Sequence, residues 1–251
     1  MSDIFMYDFG DGNGAVEARR HSNGGGIVAL TATVADTAYI GEDARVFGNA
    51  NVADNARVFG GAEVSGNARV YGDAYVFNNA RVFGSAEVSE TAWVHGDSEV
   101  FGSARVFGNA QVFGDAEVYN NARVFENAKV SGTVLVYGDS LVYGNARILE
   151  NAWVSGNARV FGNAKVSGTV LVYGKAQVYG NAKIYENSWI YENAQVFGKA
   201  RVYGKAHVYG HADVYGNTQV YENARVSGNA EIYGDMKVSS DMSGDEPMPS
   251  V

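Results

Sequence analysis

From Val34 to Val238 every sixth residue is Val or Ile, with no insertion and no exception. A period of six held over that length allows few folds. Two residues before each aliphatic position stands Ala in nearly every unit, as at Ala44, Ala50, Ala56 and Ala62. Ser98, Val134, Ser140, Val170, Ser188 and Thr218 are modest replacements, and Met236 is the large one. Two residues after it comes Gly most often, otherwise Glu, Asp or Asn, so the unit reads Asn-Ala-x-Val-(Phe/Tyr/Ser)-Gly. Ala and Val, two apart, face one side of a short strand, and the residues flanking Val face the other. Gly-Asn then supplies a bend, because those residues tolerate positive φ best. Strands of about four residues are too short to bury a core as antiparallel hairpins. Coiled so that each lies parallel to the strand one turn earlier, they stack Val on Val and Ala on Ala inside a narrow prism.

The hexads resemble those of the hexapeptide-repeat proteins, and in particular bacterial and prophage members rich in Asn-Ala-Arg-Val-Tyr-Gly units that are described as transferases. The likeness covers about residues 28–239. It implies an all-β, single-stranded, left-handed parallel β-helix of about 12 triangular coils, each of three hexads or 18 residues. The usual family hexad has Gly directly after the aliphatic residue, whereas here it comes one later, as in Val46-Phe47-Gly48. A 36-residue recurrence, Asn-Ala-Lys-Val-Ser-Gly-Thr-Val-Leu-Val-Tyr-Gly at 127–138 and again at 163–174, agrees with an 18-residue coil and also with internal duplication. Residues 1–27, with Asp11-Gly12-Asn13-Gly14 and Asn23-Gly24-Gly25-Gly26, break the pattern and are expected to cap the first coil. Residues 240–251 read as a flexible acidic tail.

Composition bounds the chemistry. The 251 residues include 32 Gly, 2 Pro, 16 Tyr, 12 Phe and no Cys, so thiolate sites and disulfides are excluded. So many aromatics are foreign to disordered linkers. Net charge is −9, but residues 28–240 hold 21 acids and 17 bases, too near balance for a nucleic-acid mimic. The amino terminus has no basic segment followed by an apolar run, and no apolar stretch is long enough to span a bilayer. A cytoplasmic or virion-associated product with no signal peptide is expected, with no membrane contact and no sequence-specific nucleic-acid binding.

Catalytic groups are scarce. Acyltransferases of the resembled class use an interface histidine and an external loop, and no insertion here supplies such a loop. The histidines are His21, His95, His207 and His211, and only the last two are close in sequence, across a bend. That is too few for a three-histidine zinc site. Outward threonines are too rare for an ice-binding ladder. A non-enzymatic protein without cofactor or metal is expected, with acyltransferase activity a further alternative.

At 18 residues per coil, the outward positions sort onto three faces. An aromatic face carries Phe107, Phe125, Tyr143, Phe161, Tyr179, Phe197, Tyr215 and Tyr233. Stacking alone accounts for such a ladder, while its four Phe also suggest an interface. A basic face carries Lys129, Arg147, Lys165, Lys183 and Arg201 on consecutive coils, with Arg57 and Lys237 further out. Tyr185, Tyr203, Lys199 and Lys205 adjoin it, a combination suited to an anionic ligand such as a nucleotide. Glu150, Glu186 and Glu222, at a neighbouring bend, are placed to neutralise those bases instead. A mixed face alternates Arg45, Glu63, Arg81 and Glu99, then turns apolar at Leu135, Trp153, Leu171 and Trp189. Four large apolar groups in a row point to a contact with another subunit or a protein partner. The expectation is a self-associating scaffold or binding protein, of phage or prophage type, with an anion-binding module as the rival.

Overall fold

The computed structural model describes residues 3–244, and they form a parallel β-solenoid of about 12 coils of 18 residues, without helices. Two compact units divide the chain, 1–126 and 127–251.

In the first unit the chain opens with β1 (Ile4–Asp8), β2 (Ala15–Arg20) and β3 (Ile27–Ala29). β1 and β2 pair antiparallel, β2 pairs antiparallel with β3, and β3 pairs parallel with Arg45–Val46 of the next coil. Phe9 is buried and stacks on Phe47 at 4.7 Å, pinning the hairpin to the solenoid. Polar pairing of an otherwise open edge and aromatic burial thus act together at this end. The boundary expected after residue 27 falls inside β3.

Every later rung obeys the hexad. Register is one coil per strand step, as in Arg69↔Glu87 and Val70↔Val88 in the first unit. In the second unit Lys183↔Arg201 and Ile184↔Val202 show the same step. The inward Val, Ile and Ala side chains are almost all fully buried. Their small, uniform volumes let successive triangles stack without voids. Where Ser188 or Thr218 replaces the inward Ala, its hydroxyl donates to the carbonyl three residues earlier, Tyr185 or Tyr215. Those two hydroxyls are thereby satisfied, whereas the Ser140 hydroxyl, at an equivalent inward position, is buried without a hydrogen-bond partner among the described residues. Most ladder strands are two residues long, shorter than the four expected, because the bend begins right after the aromatic position.

Those bends use positive φ throughout. Nine non-glycine residues adopt it: Asp54, Asn78, Glu90, Asn120, Glu126, Glu150, Glu186, Glu192 and Glu222. Each except Glu222 has Gly eighteen residues later, and each except Asp54 has Gly eighteen residues earlier. The spacing has a visible use. Gly72, Gly204 and Gly210 donate their N–H groups to Asp54 Oδ2, Glu186 Oε2 and Glu192 Oε2, at 2.8–2.9 Å. A carboxylate reaches the amide of the next bend, where a bare glycine leaves room for it.

At the other end of the chain, Met242–Ser243 forms a short strand parallel to Val226–Ser227. The tail expected from residue 240 thus begins with an ordered rung. Its remaining residues, 245–251, lie outside the described residues.

Candidate functional site

On the basic face of the second unit, Lys129, Arg147, Lys165, Lys183 and Arg201 are Cα partners in one continuous register. All five side chains are exposed. Three of their strands, Lys129–Gly132, Arg147–Glu150 and Lys165–Gly168, run four residues, and there Ser131, Leu149 and Ser167 stand where an aromatic is usual. Next to Lys165, the small Ser167 leaves a hollow of about 530 Å³ lined by Glu150, Lys165, Ser167, Gly168, Lys183, Tyr185, Glu186 and Arg201. Sequence reasoning missed Ser167. Its signal was the exchange of Phe or Tyr for Ser beside the bases.

Neutralisation of this column by the bend glutamates does not occur. Among the described residues, no carboxylate lies within ion-pair distance of Lys129, Arg147, Lys165, Lys183 or Arg201. The reason is local. Glu150 and Glu186 sit at φ 66° and 64°, and Glu186 gives its Oε2 to the Gly204 amide. Like charges one strand step apart repel, and Glu150 and Glu186, although they line the same hollow, make no ion pair with them.

Tyr185 and Tyr203 stack face to face at 4.9 Å, and Tyr203 and Tyr221 at 5.5 Å. Burial pushes the Tyr185 phenol above its ordinary range, with the Tyr203 phenol adding to the shift and the Arg201 charge opposing it. Tyr203 is thus covered on both faces, whereas the Tyr185 face toward Ser167 has no ring against it and lines the hollow. Tyr203, Lys199 and Lys205 lie outside the hollow. Lys199 occupies the bend before Arg201, and Lys205 the bend after Tyr203, where it borders a different depression.

That second depression, about 370 Å³, belongs to the mixed face and is lined by Thr169, Leu171, Asn187, Trp189, Lys205 and His207. Leu135, Trp153, Leu171, Trp189 and His207 are register partners on successive coils. Trp153 and Trp189 are 44% and 38% exposed, with Leu171 half-buried between them and Leu135 half-buried before Trp153. Trp189 stacks on His207 at 4.7 Å, and burial, then Arg225, lowers the His207 pKa. Trp93, in the first unit, is a further exposed tryptophan that sequence reasoning passed over.

The first unit contrasts with this. Arg45 pairs with Glu63, and Arg81 bridges Glu63 at 3.5 Å and Glu99 at 2.8 Å. Glu87 likewise bridges Arg69 and Arg105, and its hydrogen bond raises the Arg105 pKa. Alternating charge there satisfies itself.

The aromatic ladder also covers itself. Phe107 and Phe125 stack at 4.9 Å in the first unit, and Tyr143, Phe161, Tyr179, Phe197 and Tyr215 stack in steps of 4.8–4.9 Å in the second. Phe107, Phe125, Phe161 and Phe197 are all half-buried, so the open apolar strip expected from sequence is narrower than four bare phenyl rings. His95 completes a similar stack between Phe77 and Phe113, at 4.6 and 4.9 Å, and burial lowers its pKa. Among the described residues there is no cluster of metal-ligating side chains, and no helix long and apolar enough to cross a membrane.

Residues 152–168, 176–192 and 194–210 match the family model described as YdcK Beta solenoid repeat. This is a repeat β-solenoid protein. The matched spans carry Trp153, Lys165, Lys183, Trp189 and Arg201, so the similarity to that repeat runs through both exposed columns. No curated protein matches the chain.

Proposed function

We propose that this repeat β-solenoid is a non-catalytic scaffold or particle component that acts through its flat faces, and that it self-associates through the Leu135–Trp153–Leu171–Trp189 column. Kinship with the hexapeptide-repeat class is part of the same proposal. The carrying observation is the pair of exposed tryptophans on alternate coils, alternating with the half-buried Leu135 and Leu171. Such a column is self-complementary. A second copy related by a two-fold axis across the coils sets Trp153 against Leu171 and Trp189 against Leu135, so large always meets small. With roughly 1 kcal/mol of apolar burial still available per side chain, eight side chains narrowly exceed the cost of association. The small surplus supports only a weak dimer, of about millimolar order at best. Sedimentation velocity over a concentration series tests this. Mass should rise toward a dimer, and Trp153→Asp with Trp189→Asp should hold the chain monomeric. A wild-type chain that stays monomeric at the highest concentration overturns the reading.

A second reading has its own support: five register-aligned bases with no ion-pair partner favour an anionic ligand on the basic face.

A further inference from the structure

Resting on that second reading, we propose that the basic face of the second unit binds an extended acidic polysaccharide, laid along the coil axis across Lys129 to Arg201. Three observations select this ligand class. The first is spacing: the bases recur once per coil, about 4.8 Å apart, over five coils. A single nucleotide spans only part of such a column, whereas a chain bearing one charge per sugar keeps step with it.

The second is the state of the tyrosines. Single-stranded nucleic acids are held by bases stacking on open aromatic faces. Here Tyr203 is stacked on both faces, and Ser131, Leu149 and Ser167 stand beside the first three bases, so only the Tyr185 face above Ser167 stays open along the five coils. One platform against five bases does not make a stacking ladder for a nucleic-acid strand. Tyrosine edges and the Ser167 hydroxyl instead offer hydrogen bonds to sugar hydroxyls.

The third is the mixed charge of the hollow. Lys165, Lys183 and Arg201 share it with Glu150 and Glu186. Carboxylates on one rim repel polyphosphate, which brings acceptors alone. A uronate chain brings acids for the bases and hydroxyl donors for the glutamates.

Calorimetric titration of the full chain with oligogalacturonate, oligo(dT), inorganic polyphosphate and neutral dextran tests the proposal. Oligogalacturonate should bind, weaken with added salt, and tighten as it lengthens up to the span of five coils. Lys165→Glu with Arg201→Glu should weaken it by about tenfold or more, since like charges then face the ligand. Arg159→Glu with Arg225→Glu, the same charge change on the other faces, should leave it within about twofold, and circular dichroism verifies the fold of both variants. If oligo(dT) or polyphosphate binds through these bases and oligogalacturonate does not, the polysaccharide assignment fails while the anion-binding reading stands. If no anion binds, or both charge reversals weaken binding equally, both fall.

Discussion

Replacing Gly204 and Gly234 by alanine separates two costs that the bends combine. Both residues have φ 74°. A Cβ on Gly204 would lie 2.7 Å from the Glu222 carbonyl oxygen and 2.8 Å from its nitrogen, whereas a Cβ on Gly234 meets nothing within 4 Å. Left-handed backbone costs a non-glycine residue about 1–2 kcal/mol. The stiffer unfolded chain returns about 0.4–1 kcal/mol of that. Gly234→Ala should therefore lose roughly 0.5–1 kcal/mol. Gly204→Ala adds an overlap with the Glu222 backbone, whose carbonyl accepts from the Lys205 N–H, and overpacking of that kind costs about 1–3 kcal/mol more. Because coils of a repeat protein open semi-independently, the readout must be local. Native-state hydrogen exchange at Arg201–Val202 and at Glu231–Ile232 reports each rung. Equal losses at the two sites would show that backbone conformation alone, without close stacking of bends, makes glycine necessary.

Two further outcomes follow from the core and from the half-buried histidines His95 and His207. Val166 is fully buried, and Val166→Ala removes two methyl groups from a stack with little room to collapse, so stability should fall by about 2–3 kcal/mol, measured by urea denaturation. His95 and His207 have folded pKa values below the usual 6.5, so the stability they contribute is full above that value and lost as pH falls through the folded pKa. Thermal midpoints of wild type and His95→Phe, which keeps the Phe77–Phe113 stack, should diverge between pH 7 and pH 5 in favour of the variant, and parallel curves would refute it.

Much of this was legible in the sequence because the hexad never varies. Val and Ile at every sixth position dictate which side chains turn inward, and equal hexads fix the eighteen-residue columns that register partners such as Lys165↔Lys183 and Trp153↔Leu171 display. Other features depend on where a side chain points from a particular backbone, which column order does not encode. Glu186 was placed beside the bases, yet its positive φ delivers the carboxylate to the Gly204 amide. The Phe107 and Phe161 rings, outward by alternation, lie flat on their neighbours and are half covered. Ser167 matters through the volume that it leaves empty. A cap at the amino terminus was expected, but its hairpin and the rung at 242–243 were not, because residues 4–20 and 242–243 pair by hydrogen bonding without the repeat that marked the rest.

The alternation of side chain and bare glycine at the bends has a consequence for how such a chain can change length. Excising one coil, residues 151–168, would bring Glu150 directly beneath Glu186 and Leu135 beneath Leu171. Two left-handed carboxylates would then compete for one space, and the Trp–Leu rhythm would lose its phase. Removing or duplicating thirty-six residues leaves both intact. In this stretch the molecule has a length quantum of two coils, so its lineage is expected to grow and shrink by doublets.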